Sequence, residues 1–240
     1  MMQSTEKNGH RPLSPAEIKK KYWMPLEGAH RPGAWDALKA GYCEPHRAYH
    51  GWGHIAALLE KLNALQELAS RPDIIAIAAF WHDAVYTTHD RDGRPRPDYE
   101  NVRDSARLFR RYTSLEHRAA DAARALIMAT ADHLHARSDV QFYDGFSGDL
   151  DLFLDLDLSS LASPWEEFEE HLREIRAEFS FASDAEFYAA HLRTLENFAR
   201  DDIELFRRAE TRAMWQAGAR ANLKRCVSEL SKKLAAYFVG

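Results

Sequence analysis

The amino-acid sequence predicts an all-α fold, a single helical bundle, from three observations. Signals for helix starts recur along the chain, and apolar residues follow helical spacing over most of its length. No stretch alternates apolar and polar residues between hairpin turns, so the pattern does not favour a sheet. With 240 residues and 45% hydrophobic content, the chain can bury a sizeable core.

Three segments carry the signature of a helix N-terminus. Ser14 and Ser163 are each followed by a proline and, three residues after the serine, by a glutamate. Ser183 has the glutamate without the proline. A serine at this position accepts a backbone N–H of the first turn, and the glutamate caps the serine in return. The sequence therefore predicts a helix beginning after each of the three serines.

Apolar spacing predicts the bodies of the helices. From His54 to Leu68, apolar residues recur at i, i+3, i+4, i+7 and i+10, which is one face of a helix. The apolar run from Ile74 to Trp81 predicts a buried segment. Helical spacing also runs through 106–112, 119–131, 168–179 and 223–238, and loops are expected at 41–53, 87–97 and 134–148.

Length, charge and cysteine content indicate the class of protein. We expect one domain over 1–240, with a core at about 42–160 that carries the functional residues and helices at 163–240 packed on it. The net charge is -5, and acidic and basic residues are mixed along the chain. The sequence therefore shows no basic segment of the kind that binds a nucleic-acid polymer or an anionic membrane. The segment 1–11 lacks a signal peptide's apolar stretch, and only Cys43 and Cys226 are present. These features predict a cytoplasmic protein without a membrane span, and leave a homo-oligomer open.

The pair His82-Asp83, which ends the apolar run, is the strongest functional signal. Composition predicts about one His-Asp pair by chance, and the second pair, His89-Asp90, lies in a polar stretch where solvated side chains need no partner. Adjacent buried imidazole and carboxylate groups must both be satisfied, and a bound cation does this efficiently. The context of the first pair therefore predicts a metal ligand.

Further candidate ligands come from segments before and after this pair. His54 begins an amphipathic helix, whereas the glycines around His50 make a helix there uncertain. Asp155 and Asp157 lie among leucines, where a buried carboxylate needs a cation or several hydrogen bonds. Each aspartate has an alternative role, capping a helix or pairing with an arginine, and the residues alone leave this open.

Two imidazoles and two carboxylates suit Mn, Fe, Co, Ni or Zn better than Ca, and Mg is a further candidate. Four protein ligands on an octahedral ion leave two positions for water and substrate. Such an ion polarises a phosphoryl oxygen and lowers the pKa of a bound water, which predicts phosphoester hydrolysis. The sequence has no phosphate-binding loop, no dinucleotide-binding glycines and no serine-hydrolase elbow.

Several segments in this order resemble the HD superfamily of metal-dependent phosphohydrolases, and more narrowly a bacterial group of predicted HD phosphohydrolases. The resemblance covers roughly 200 residues, a span counted on the printed sequence. It is carried by Tyr42 to His50 with His54, Phe80 to Tyr86, Thr130 with His133, Leu154 to Leu158, Ile175-Arg176-x-Glu178-Phe179 and Ala219 to Leu223.

The resemblance implies an all-helical enzyme that uses a divalent transition metal to hydrolyse a small phosphorylated substrate, a nucleotide being one candidate. It implies His54, His82, Asp83 and one of the two later aspartates as metal ligands, with Asp157 preferred over Asp155. His82 and Asp83 are also the expected catalytic pair. From their position beside the motifs, four residues are candidates for substrate binding or for supporting the ligands: His50, Arg47, Thr130 and His133.

The sequence departs from the family pattern at two positions. Gly51 stands where relatives usually have Asn, and Val102 stands where they usually have Glu, although Glu100 and Asp104 are close enough in sequence to substitute. Val102 keeps two alternatives open. One is a sensor that binds metal or nucleotide without turnover, and the other is an HD-fold oxygenase with two irons, for which His50 and His133 are the obvious extra ligands.

Overall fold

Ten α-helices form the fold of residues 13–239, which are the residues that the computed structural model describes. They are α1 Pro15–Ile18, α2 Ala34–Tyr42, α3 Trp52–Ala64, α4 Pro72–Trp81, α5 Asp98–Tyr112, α6 His117–Ala129, α7 Phe146–Leu158, α8 Trp165–Glu178, α9 Asp184–Ala199 and α10 Ala209–Val239. A π-helical turn, Lys19–Trp23, and four 3-10 segments, Met24–Ala29, Gln66–Leu68, Thr130–Asp132 and Ser159–Ala162, extend or join them.

The described residues contain no β-strand, only two isolated bridges, so the predicted all-α class is confirmed. The segment 1–11, discussed above as lacking a signal peptide, lies outside the described residues. Within them, no helix is both long enough and apolar enough to cross a bilayer.

Two of the three predicted helix starts have the expected cap. Ser14 and Ser183 each form the reciprocal capping box with the glutamate three residues later. The box predicted at Ser163 is wrong, because α8 begins one residue later than expected, with Pro164 at the N-cap. Glu166 is then one position too early to close the box, and the Ser163 hydroxyl donates instead to the Glu167 carboxylate at 3.0 Å.

Helix α4 is the centre of the larger hydrophobic core. Its residues Ile74, Ile75 and Ile77 to Trp81 are all at most 1% exposed, so the helix is buried nearly all round. Side chains from α2, α3, α5, α6 and α7 complete this core. Because the sides of α4 are covered by the core, polar groups can reach the helix only at its ends. Its C-terminal end leads directly into His82-Asp83.

A second, smaller core lies between α8, α9 and α10. It contains Phe168, Leu195, Leu205, Phe206, Ala219, Leu223 and Cys226. Helix α10 packs against α9 and against the segment Ser159–Ala162, and Trp215 contacts both cores. The C-terminal helices therefore lie against the chain immediately after α7.

Candidate metal centre

Three helix ends bring His54, His82 and Asp157 together. His54 is in the first turn of α3, His82 is the C-cap of α4, and Asp157 is in the last turn of α7. Gly51 is the N-cap of α3, so His50 lies outside that helix, as its glycine neighbours suggested. The Nε2 atom of His54 is 3.2 Å from Nε2 of His82 and 3.0 Å from Oδ1 of Asp157.

These distances are those expected between neighbouring ligands of one metal ion. Two ligand atoms about 2.1 Å from an ion lie about 3.0 Å apart at a right angle and about 3.4 Å apart at a tetrahedral angle. The third distance, from His82 Nε2 to Asp157 Oδ1, is 3.4 Å. The three side chains thus form a group that can hold a metal ion.

Asp83 lies at the edge of this group. Its Oδ2 atom is 3.2 Å from His82 Nε2 and 3.8 Å from His54 Nε2. Asp83 therefore lies beside the two imidazoles but is not a member of the three-residue group. Burial alone would raise the pKa of the Asp83 carboxyl, but His82 outweighs it and holds that pKa far below its ordinary value.

The imidazole of His82 is fixed in the orientation that a ligand needs. Its Nδ1–H donates to the carbonyl of Ala79 at 2.9 Å, which leaves Nε2 directed at the site. Burial would lower the pKa of His82, but the nearby carboxylates of Asp83 and Asp157 raise it well above its ordinary value. A cation bound here would therefore take the place of a proton.

Asp155 and Asp157, two of the four aspartates of α7, have different partners, and Asp155, the alternative metal ligand, lies outside the ligand group. Asp155 is fully buried on another face of the helix. It accepts hydrogen bonds from the backbone N–H groups of Arg207 and Arg208, at 2.7 and 3.0 Å, and from the Thr211 hydroxyl at 2.5 Å. This carboxylate fixes the start of α10, which is the capping role left open by the sequence.

His133 and Thr130 lie beside the group on the segment that follows α6. The Nε2 atom of His133 is 2.7 Å from Oδ2 of Asp157, the oxygen that does not face His54. This contact orients the carboxylate. The Thr130 hydroxyl donates to the carbonyl of Ile127 at 2.9 Å, so it serves its own helix end while the residue lines the cavity described below.

His50 belongs to a separate dyad with Glu178, a residue to which the sequence assigned no role. The fully buried Glu178 carboxylate accepts hydrogen bonds from the backbone N–H groups of Tyr49 and His50, both at 2.8 Å, and lies 2.6 Å from His50 Nδ1. Tyr86 stacks on the His50 ring at 4.1 Å. Two sequence signals marked Glu178: it is a carboxylate on the apolar face of α8, and it belongs to the segment 175–179 that carries the family resemblance.

Arg47 does not face the cavity, so its predicted contact with substrate phosphate is not supported. Its side chain is fully buried. The guanidinium donates to the carbonyls of Asp83, Ala84 and His50 at 2.6, 3.2 and 3.3 Å, and to the Glu44 carboxylate at 3.0 Å. Arg47 instead holds the loop before α3 against the His-Asp segment.

A cavity of about 240 Å³ opens beside the group. Val102 lines it, and so does Asp98, one turn earlier on α5. Glu100 and Asp104, which the sequence offered as substitutes, both pair with Arg96 and do not line the cavity. Asp98 is the carboxylate available on that side, and nothing in the sequence pattern distinguished it.

A scan against protein-family models and a search of curated proteins both return no match to this chain. The fold and the candidate metal centre therefore rest on the geometry described above.

Proposed function

We propose that this protein is a metal-dependent phosphohydrolase that acts on a small phosphorylated compound. The observation that carries the proposal is the convergence of His54, His82 and Asp157 at the distances of neighbouring metal ligands, with Asp83 beside them, at the wall of a cavity. The order of the motifs along the sequence adds support, because it resembles that of HD-superfamily enzymes, which use such ligands for phosphoester hydrolysis.

The four side chains would hold one divalent ion, and such an ion supplies Lewis acidity and a water of lowered pKa. The residues around it would orient the substrate and move protons. His133 fixes the second oxygen of Asp157. His50 lines the same cavity and would exchange a proton with the substrate or with water, because the buried Glu178 carboxylate behind it orients the imidazole and stabilises its charged form.

Metal analysis of the purified protein is the first test. We expect about one equivalent of Mn, Fe, Co, Ni or Zn per protein chain. The His82→Ala variant should lose that metal, because the substitution removes one of the proposed ligands. The matched control is His171→Ala, because His171 lines the cavity without joining the ligand group. Equal metal content in both variants would overturn the metal site.

A screen of phosphoesters is the second test. Protein loaded separately with Mn, Co, Ni, Zn and Mg is assayed for phosphate release, and the His82→Ala variant provides the blank. Metal-dependent release that this variant lacks supports hydrolysis. Metal binding without release from any ester would instead favour the sensor.

The sensor is the second candidate function, and Val102 is the observation that favours it. Its apolar side chain is 2% exposed and lies on the cavity wall at the position where relatives usually have Glu. The Val102→Glu variant tests this reading, since a gain of hydrolysis would show that the missing carboxylate limits turnover. The di-iron oxygenase is less favoured, because residues 13–239 contain one group of potential metal ligands and His50 is engaged by Glu178.

A further inference from the structure

The cavity beside the metal ligands has an apolar half that the proposed hydrolysis does not explain. Six apolar side chains from the segment after α7 and from α8 and α9 line it: Leu161, Phe168, Leu172, Ile175, Leu195 and Phe198. On α8 these residues follow helical spacing, so one face of the helix is directed at the cavity.

Several of these side chains are only partly covered by protein. Phe168 and Leu195 belong to the second core, at 3% and 4% exposed, whereas Leu172, Ile175 and Phe198 are half-buried. Contact between apolar surface and water is unfavourable. Covering this wall with an apolar group therefore lowers the free energy of the complex. The wall shares one cavity with His54, His82 and Asp157, so a single small molecule can contact both.

The charges around the cavity exclude a polyanion as the best ligand. Its lining includes the carboxylates of Asp83, Asp98 and Asp157, and among the described residues no Lys or Arg lines it. Arg47 lies behind the wall with its guanidinium engaged by backbone carbonyls, and Arg200, which lines the adjacent pocket, pairs with Asp202 at 2.5 Å. A divalent ion balances two of the three carboxylates, and Glu178 balances the charged form of His50, so little positive charge remains for a second or third phosphate.

The imidazoles at the apolar end do not supply that charge. Burial lowers the pKa of His191 to about 4 and also lowers the pKa of His171. Both rings are therefore neutral near pH 7.

We propose that the substrate of this site is a small amphiphile, with one phosphoryl head for the metal and a short apolar body that lies against α8 and α9. This inference rests on the proposed function for the identity of the head group. The apolar body follows independently from Leu172, Ile175 and Phe198. Nucleoside diphosphates and triphosphates are expected to be poor ligands.

A series of phosphonates, which are not hydrolysed, tests the proposal by calorimetric titration of Mn-loaded protein. Ethylphosphonate and butylphosphonate differ by two methylenes, and burial of each should tighten binding about fourfold, so butylphosphonate should bind about fifteenfold more tightly. ADP is included as the polyanionic probe and should bind more weakly than butylphosphonate. An equal affinity for the two phosphonates, or tighter binding of ADP, would overturn the proposal.

A variant pair locates the effect. Ile175→Asn makes the apolar wall polar and should remove most of the gain from ethyl to butyl while ethylphosphonate still binds. Leu192→Asn is the matched control, because Leu192 lies on α9 with similar burial and does not line the cavity. This control should keep the fifteenfold gain, and an equal gain in both variants would contradict the assigned wall.

The metal-free protein separates this inference from the proposed function. Benzene should raise the thermal midpoint of wild-type and Leu192→Asn protein more than that of Ile175→Asn, because an apolar cavity binds apolar molecules without help from a metal. No such difference in metal-free protein would overturn the apolar site. If benzene and the phosphonates behave as expected but butyl phosphate is not hydrolysed, only the proposed hydrolysis fails.

Discussion

Asp155 and Asp157 provide a matched pair of substitutions that tests the site directly. The two residues are separated only by Leu156 near the end of α7 but contact different partners. Asp157→Asn changes a candidate metal ligand, and Asp155→Asn changes the carboxylate that fixes the start of α10. The same chemical change should therefore lower metal affinity in one variant and the free energy of unfolding in the other.

The size of each effect follows from the contacts. Asp155 accepts three hydrogen bonds, and an amide would turn an NH₂ group toward one of the donors, which costs about 2–3 kcal/mol of stability. For the metal, an ion at 100 times its dissociation constant adds about 2.7 kcal/mol to the free energy of unfolding. In a protein of this size that raises the thermal midpoint by about 5–11 °C.

Thermal unfolding with and without added metal measures both effects. If Asp157→Asn weakens binding a hundredfold, the same metal concentration adds only about 0.4 kcal/mol, a shift of about 1–2 °C. Asp155→Asn should start from a lower midpoint and still gain the full shift. The reasoning is refuted if Asp155→Asn loses the metal-induced shift while Asp157→Asn retains it.

Three further substitutions test how the site is held. Gly41→Ala places a Cβ 2.5 Å from the Ala84 carbonyl, so we expect weaker metal binding, measured by metal titration, whereas unchanged affinity would contradict the close approach. Arg47→Met removes three hydrogen bonds to carbonyls and should lower the free energy of unfolding by about 3 kcal/mol in urea titrations. For Glu178, burial would raise the pKa, but His50 lowers it below 4.5, so this carboxylate stabilises the fold above pH 4.5 and loses that effect as the pH falls further. The stability difference between wild type and Glu178→Gln should therefore shrink below pH 4.5, and a constant difference would contradict the dyad.

Much of the fold followed from local sequence signals, since capping and periodicity depend on neighbouring residues. The boxes at Ser14 and Ser183 and the buried run of α4 formed as expected. The failure at Ser163 is also local, because a shift of one residue moves Glu166 out of reach of the cap. Helix boundaries depend on such small shifts, and the sequence pattern does not resolve them.

The site was harder to predict, because tertiary contacts decide which of several similar residues takes part in it. The residues identified both Asp155 and Asp157 as buried carboxylates, but only the position of α10 decides which one is free to face His54. Likewise, Asp98 reaches the cavity and Glu100 does not, since the rotation of α5 is set by packing. Residue type thus indicated the chemistry of the site, whereas long-range packing determined which individual residues reach it.

The convergence of three helix ends also has a consequence for how the chain reaches its native state. Residues 54, 82 and 157 are far apart in sequence, so an ion bound to all three would link the chain as a crosslink does and restrict the unfolded ensemble if it stayed attached. Long-range loops of this kind close late in folding. The metal-binding signal should therefore appear after most of the helix content during refolding, so that metal capture reports the last step of assembly.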